Sequence, residues 1–368
     1  MNVISRRYFL KTGFKITSVA VLLNPVKELF GASKQIFPAW EELVDYARWC
    51  PNVHNLQPHK IKVVSDTEAL LYYDPARLLP IGDPNCIFVT VVMGIFIEYL
   101  SIAASNHNAK VEIAQVFDPI NLNADGYTKF AKLKLVPANN NEVIDRELIL
   151  KRKTSRSHYN GLPVDKTVLE KIKIQANELN HNFFYSNDEN LIDFIVGLNQ
   201  ETLFEDINSS ANRKELDHLF RYSKEEAQDK KDGLWSRCMG FPGILMKSVF
   251  RQPERWAEGI KKKVLANYYK ASFNGTATIG WFSGNFSDTA DWLNAGKMLG
   301  RNWLLITKEN TYIQPFGSLI TNVSAYKKIN EKLSLADDDK KIWMVFRIGC
   351  SKEPTRSFRL STEEIIIK

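Results

Sequence analysis

The chain has 368 residues, 44% of them hydrophobic and 25% charged, which are the proportions of a globular protein with a sizeable core and exclude a disordered or fibrous chain. The formal net charge of +7 includes the basic residues near the N-terminus, and the other basic residues are scattered, so nucleic-acid binding is not indicated. Cys50, Cys86, Cys238 and Cys350 lie too far apart for a zinc site or a dense disulfide framework; they read as mostly buried thiols with room for one disulfide.

In chain order, Ser5-Arg6-Arg7-Tyr8-Phe9-Leu10-Lys11 followed by the apolar Thr12 to Leu23 has the form of a twin-arginine export signal over residues 1–33. Lys15 interrupts the apolar stretch, which stops near Asn24-Pro25, well short of the roughly 20 residues of a spanning helix. The small residues Gly31-Ala32-Ser33 offer a cleavage site. The expected location is periplasmic or otherwise extracytoplasmic, reached through the twin-arginine translocation machinery.

Trp40, Leu43, Val44 and Ala47 share one face of a helix that ends before Pro51. Two short antiparallel strands, 60–64 and 70–73, come next, and a central buried helix runs from Asn85 to about Asn106 after the Asp83-Pro84 cap. Strands are expected over 111–116 and 129–136, then a helix over 141–150. Residues 165–179 and 191–222 read as mostly helical, and 229–246, rich in Gly and aromatic residues, as a long ordered loop or lid. A helix over 254–269, a strand over 277–282, a long helix over 290–306, and strands over 312–316 and 341–349 complete the pattern. One weak internal echo superimposes Gly94, Tyr99, Ile102 and Ala104 on Gly296, Arg301, Leu304 and Ile306, as two related halves would.

Two segments can carry chemistry. Pro51-Asn52-Val53-His54-Asn55-Leu56-Gln57-Pro58 packs four side chains that donate or accept hydrogen bonds between two prolines, a set suited to a flat heteroaromatic ligand; the alternative is a polar surface turn. In Arg152-Lys153-Thr154-Ser155-Arg156, extended alternation puts Arg152, Thr154 and Arg156 on one side, where they could bind a phosphate with help from Arg356 and Arg359. The alternative there is a solvated basic linker. No dinucleotide fingerprint, P-loop, nucleophile elbow or paired-histidine zinc motif occurs in the sequence. His107, His181 and His218 read as surface residues, and Trp281 and Phe316 as core.

Together these segments resemble the nitroreductase superfamily of flavoproteins. Residues 51–59 look like that family's Pro-Ser-x-x-Asn-x-Gln-Pro-Trp segment, and 152–156 like its Arg-Arg-Ser/Thr-x-Arg segment, in the reverse of the usual order. That order, with Asp74-Pro75-Ala76-Arg77-Leu78-Leu79-Pro80 and the residues to Pro84, is similar to a long single-chain branch with two fused halves, here 34–150 and 151–368.

The resemblance implies an α+β nitroreductase-like fold, with mixed or antiparallel sheets packed by helices and two pseudo-repeated halves around a long-helix core. It implies one flavin mononucleotide (FMN) per chain, in a monomer imitating a dimer that could oligomerise further. Arg152, Thr154 and Arg156 would hold the phosphate and ribityl chain with Arg359 and Arg356, while Asn52, His54, Asn55 and Gln57 face the ring and Phe316-Gly317-Ser318 approaches its reactive nitrogen. Asn52, His59 and Lys153 depart from the family pattern. The implied activity is ping-pong electron transfer from an unidentified donor to a small nitro compound or quinone, with the flavin rather than a side chain doing the chemistry. Two other readings remain: a flavin-storage protein without turnover, and an envelope protein with no cofactor.

Overall fold

A computed structural model describes residues 37–138, 144–333 and 340–368. The expected export signal lies outside the described residues. In helix α1 (Trp40–Ala47) the four residues of the apolar face are all buried, and the Trp40 indole donates to the Ser65 carbonyl at 3.2 Å. Strands β1 (His59–Ser65) and β2 (Glu68–Tyr73) pair antiparallel. Helix α2 (Ile87–Ser105) begins where the Asp83 carboxylate accepts from the Ile87 and Val89 amides, satisfying donors that a helix start leaves open. Its length and composition would suit a membrane span, but most of it is buried in the core. Strands β3 (Ala109–Val116) and β4 (Thr128–Pro137) complete a four-stranded antiparallel sheet of order β1-β2-β4-β3.

Helix α3 (Glu147–Lys151) starts later than its sequence pattern predicts, because Asp145 turns the chain by accepting from the Glu147 amide; residues 141–143 of that expected helix lie outside the described residues. Helix α4 (Lys166–Asn177), capped by Asp165, leads into β5 (His181–Ser186), a strand the periodicity misses. Its Phe-Phe-Tyr run was the available signal. His181 is buried rather than exposed, edge-on to Trp343. Helices α5 (Glu189–Asn208) and α6 (Ser210–Leu219) follow.

The expected loop over 229–246 is instead built of short regular elements. Strand β6 (Phe220–Arg221), helix α7 (Lys224–Lys230) with a capping box from Ser223 and Glu226, and strand β7 (Leu234–Trp235) precede helices α8 (Ser236–Met239) and α9 (Gly243–Arg251). Gly243 sits so tightly that an added Cβ would lie 1.8 Å from the Tyr222 carbonyl oxygen, which fixes the turn into α9. Helix α10 (Gly259–Ala271) begins after a short 3₁₀ turn at Pro253–Arg255. Then come β8 (Ile279–Gly284), α11 (Thr289–Lys308), β9 (Tyr312–Pro315), α12 (Ser318–Thr321), α13 (Val323–Leu333), β10 (Lys341–Gly349) and α14 (Thr362–Ile365). The second antiparallel sheet has the order β5-β8-β10-β9.

The fold class is therefore α+β, with antiparallel four-stranded sheets packed by helices. Residues 37–368 form one compact unit. At its centre α2 crosses α11 at the two glycines of the sequence echo: a Cβ on Gly94 would lie 2.3 Å from the Leu293 carbonyl oxygen, and one on Gly296 would lie 2.1 Å from that of Val91. No side chain fits there. Just beyond the crossing, buried Glu98 accepts from Arg301 at 2.7 Å. All four cysteines are free thiols, so the one disulfide allowed by the sequence is not formed; Cys50 and Cys86 are buried, Cys350 exposed.

Candidate functional site

A cavity of about 690 Å³ opens beside the α2–α11 crossing, within the usual range for a small-molecule site. Val91, Val92 and Ile95 of α2 and Leu299 and Trp303 of α11 form its floor. Three further walls come from segments distant in the chain.

The first wall is basic. Residues 152–156 run extended along the edge of β9, where Thr154 bridges Ile313 and the Ser155 amide donates to the Ile313 carbonyl at 3.3 Å. Ser155 points inward, its hydroxyl bonded to that of Ser351, which leaves Arg152, Thr154 and Arg156 in the cavity wall together with Lys153. Lys153 pairs with Glu353. Arg356 and Arg359 reach the same wall from the C-terminal segment.

Arg152 is buried and stacks over Trp303 at 4.8 Å, with one nitrogen donating to the Trp49 carbonyl and its Nε unpaired. Arg356 lies over the Trp49 ring at 4.1 Å. Arg359 donates to the Cys50 carbonyl while its Nη1 has no partner. Among the described residues none of these three, nor Arg156, pairs with a carboxylate, and Arg156 makes no hydrogen bond at all. The carboxylates lining the cavity are committed elsewhere: Asp83 and Glu215 accept from backbone amides, and Asp206, pushed up to about 6 by burial, accepts from Asn212. Burial, and then the neighbouring Arg152, pushes Arg359 down to about 9 and Arg356 down to about 10. Like charges this close, taken from water with no counter-charge, are costly. An anion would remove that cost.

The second wall is the segment between Pro51 and Pro58. His54, Asn55 and Gln57 all have left-handed backbones, with φ of 47°, 60° and 55°, a conformation that costs non-glycine residues energy and concentrates at functional sites. The strap of C-terminal residues 357–360 holds it in place. Asn55 donates to Ser357 Oγ and to the Phe358 carbonyl, and the Leu360 amide donates to Gln57 Oε1. Asn52, His54 and Asn55 line the cavity. Gln57 does not: it is fully buried behind the wall, and its amide donates to the Asn55 and Lys231 carbonyls, so its hydrogen-bonding capacity is spent on backbone.

The third wall is Gln314, Pro315, Phe316, Gly317 and Ser318, at the end of β9 and the start of α12. Phe316 is both core, as its sequence suggests, and cavity wall. Buried polar atoms with no partner gather around the space: His54 Nδ1, Asn55 Oδ1, Arg152 Nε, Trp303 Nε1, Gln314 Oε1 and Arg359 Nη1. Buried polar groups are normally paired. Their convergence here is the mark of a ligand site.

The lid expected over 229–246 supplies Trp235 and Met246 to the cavity lining, but sequence reasoning missed Trp303, the helical build of that roof and the share of it that comes from α5 and α10 through Phe204 and Tyr269. The aromatic residues around 235–241 were the visible signal for the roof. Trp303 carried none, because it becomes a guanidinium platform only once α11 meets the arginine segment.

Burial pushes both His54 and His181 down to about 4, so each stays neutral in the fold while the unfolded chain protonates near 6.5. Stability should therefore be full above pH 6.5 and fall towards pH 4, by on the order of 1–3 kcal/mol for each histidine. Thermal unfolding across that range checks this, and His181→Gln should flatten the slope.

No family model matches the chain, and no curated protein matches it. Solved structures overlap with it weakly. An FMN-dependent nitroreductase from Mycobacterium smegmatis in complex with NADPH is 14% identical, covering 56% of this chain and 86% of its own, with a TM-score of 0.33. An FMN- and NADPH-dependent nitroreductase from sphigopyxis sp. strain HMH is 15% identical over 60% of this chain and 97% of its own, at 0.35. A nitroreductase-like family protein from Bacillus cereus is 14% identical over 59% and 91%, at 0.32.

Proposed function

We propose that the cavity holds flavin mononucleotide and that the chain is a nitroreductase-type oxidoreductase. The observation that carries the reading is the arginine wall, which has no carboxylate partner among the described residues and ends in the unpaired Arg152 Nε and Arg359 Nη1, next to a wall with His54 Nδ1 and Asn55 Oδ1 unpaired. Arg152, Arg156, Arg356 and Arg359 would take the phosphate by charge-assisted bonds, with Thr154 as a hydroxyl partner. Asn52, His54 and Asn55 would orient the ring, His54 as a neutral imidazole, with Gln57 setting the shape of their loop rather than touching the ligand. The backbone at Phe316-Gly317-Ser318 closes the third side. Bound there, the flavin would supply two-electron chemistry, taking electrons from a donor and passing them to a small acceptor such as a nitro compound or quinone.

The roof from α5 to α10 would exclude water from the ring face. The same roof favours a second reading, storage without turnover, since with flavin bound it would cover the face a donor must reach. We also read the chain as two fused halves, 34–150 and 151–368, each supplying part of one site in a monomer that imitates a dimer. The glycine-to-glycine crossing of α2 and α11, at the positions of the sequence echo, supports that reading. Export by the twin-arginine route fits it, because a cofactor enclosed by both halves is best inserted before translocation.

The purified chain should be yellow or become so on reconstitution, and saturating FMN at 100 times its Kd should add about 2.7 kcal/mol of stability. A colourless chain whose melting temperature ignores FMN would overturn the proposal. Anaerobic addition of NADH or NADPH then separates turnover from storage by whether the flavin spectrum bleaches.

A further inference from the structure

Helix α10 presents two apolar faces. Leu265 and Tyr269 point inward and line the cavity, as expected of a roof helix. On an outward side of the same helix Ile260, Val264 and Tyr268, spaced four residues apart, are 81%, 57% and 44% exposed. Helical geometry puts Lys261 on one flank of this stripe and Lys263 and Lys270 on the other. Every residue from 258 to 264 is exposed. The Tyr268 hydroxyl donates to the Gly240 carbonyl at 3.1 Å, tying the stripe to the turn that leads into α9, where Ile244 is 89% exposed.

From Lys247 to Lys270 the sequence carries seven basic residues against two acidic ones, Glu254 and Glu258. Arg251 is paired with Asp217, but Lys247, Lys261, Lys262, Lys263 and Lys270 have no ion pair among the described residues. We propose that this outer face of α10 docks on an anionic lipid surface, the apolar stripe entering the headgroup region and the lysines meeting lipid phosphates. An exposed apolar stripe flanked by lysines is the pattern of interfacial helices. A second copy of the chain is the poorer occupant, because a two-fold contact would set these unpaired lysines against one another. The inference rests on this surface alone and does not depend on which cofactor fills the cavity.

The test uses the full chain in cosedimentation with vesicles of phosphatidylcholine, with and without phosphatidylglycerol. Binding is expected only to the mixed vesicles and should weaken with salt. Ile260→Ser with Val264→Ser, and separately Lys261→Gln with Lys263→Gln and Lys270→Gln, should each lower the bound fraction by about fivefold or more at an unchanged melting temperature. Because the N-terminal residues are also basic, hydrogen exchange on vesicles supplies a local readout, with slower exchange expected over residues 258–268. Equal binding by both variants, no protection over 258–268, or a lipid-free oligomer that the Ile260→Ser and Val264→Ser changes dissolve would each overturn the proposal.

Discussion

Arg156→Leu should weaken FMN binding by roughly 10- to 100-fold, the value of one or two lost charge-assisted hydrogen bonds. The ligand-free chain should melt at the same temperature as the parent or slightly higher. The two halves of this result have one cause. Arg156 is drawn into the wall with no hydrogen bond or carboxylate partner among the described residues, so its replacement by an apolar side chain breaks no polar bond among them and relieves a charge whose pKa is lowered by burial. Arg152→Leu makes a useful contrast. That side chain also stacks on Trp303 and bonds the Trp49 carbonyl, so its loss should lower both affinity and stability. Titration of FMN by fluorescence, with thermal unfolding of both ligand-free variants, measures the two quantities separately. If Arg156→Leu destabilised the ligand-free chain and left FMN affinity untouched, the basic wall would be structural and the proposed site wrong.

Gly296→Ala should cost about 2–4 kcal/mol, because its new methyl would sit 2.1 Å from the Val91 carbonyl oxygen and 3.0 Å from the Gly94 Cα. Backbone cannot yield as the tip of a side chain would, so α2 and α11 must move apart. Gly94→Ala meets the Leu293 carbonyl oxygen in the same way and should behave alike. Gly197, inside α5 with nothing within 4 Å, is the control. Gly197→Ala should stabilise by about 0.5–1 kcal/mol through lower unfolded-state entropy and better helix propensity. Because Val91, Ile95, Leu299 and Trp303 all stand on the two crossing helices, the Gly296 variant should also lose ligand affinity. Denaturant unfolding of the three variants tests the contrast, and a Gly296→Ala chain as stable as the parent would show that the helices need no such close approach.

The long periodic elements were legible in the residues. The buried face of α1 and that of α11 follow from a 3.6-residue spacing of apolar side chains, while α2 and β10 follow from continuous apolar runs, which have few ways to avoid the core. Short elements were not. Strands β6 and β7 have two residues each, and α8 has four, so their local preferences are too weak to register until Gly243 and the Ser223 capping box fix their ends. Polar histidine was misread for a related reason. His181 looks like a surface residue by type, and only the packing of the sheet against α11 brings Trp343 and Asn294 to it.

For the site, the sequence by itself determined the chemistry of two segments: a basic extended stretch at 152–156 and an amide-rich stretch between Pro51 and Pro58. Residue type and alternation are local properties, and both survive folding. That these stretches, about a hundred residues apart, share one site with the C-terminal arginines was implied by the family resemblance and not by the residues alone, and the tertiary structure lines one cavity with them. Only that structure decided that Gln57 supports the wall instead of lining it, and that among the described residues no carboxylate pairs with Arg152, Arg156, Arg356 or Arg359. Those outcomes depend on which groups become neighbours after α2 and α11 close on their glycines. Charge pairing and burial belong to the packed chain, and no single segment contains them.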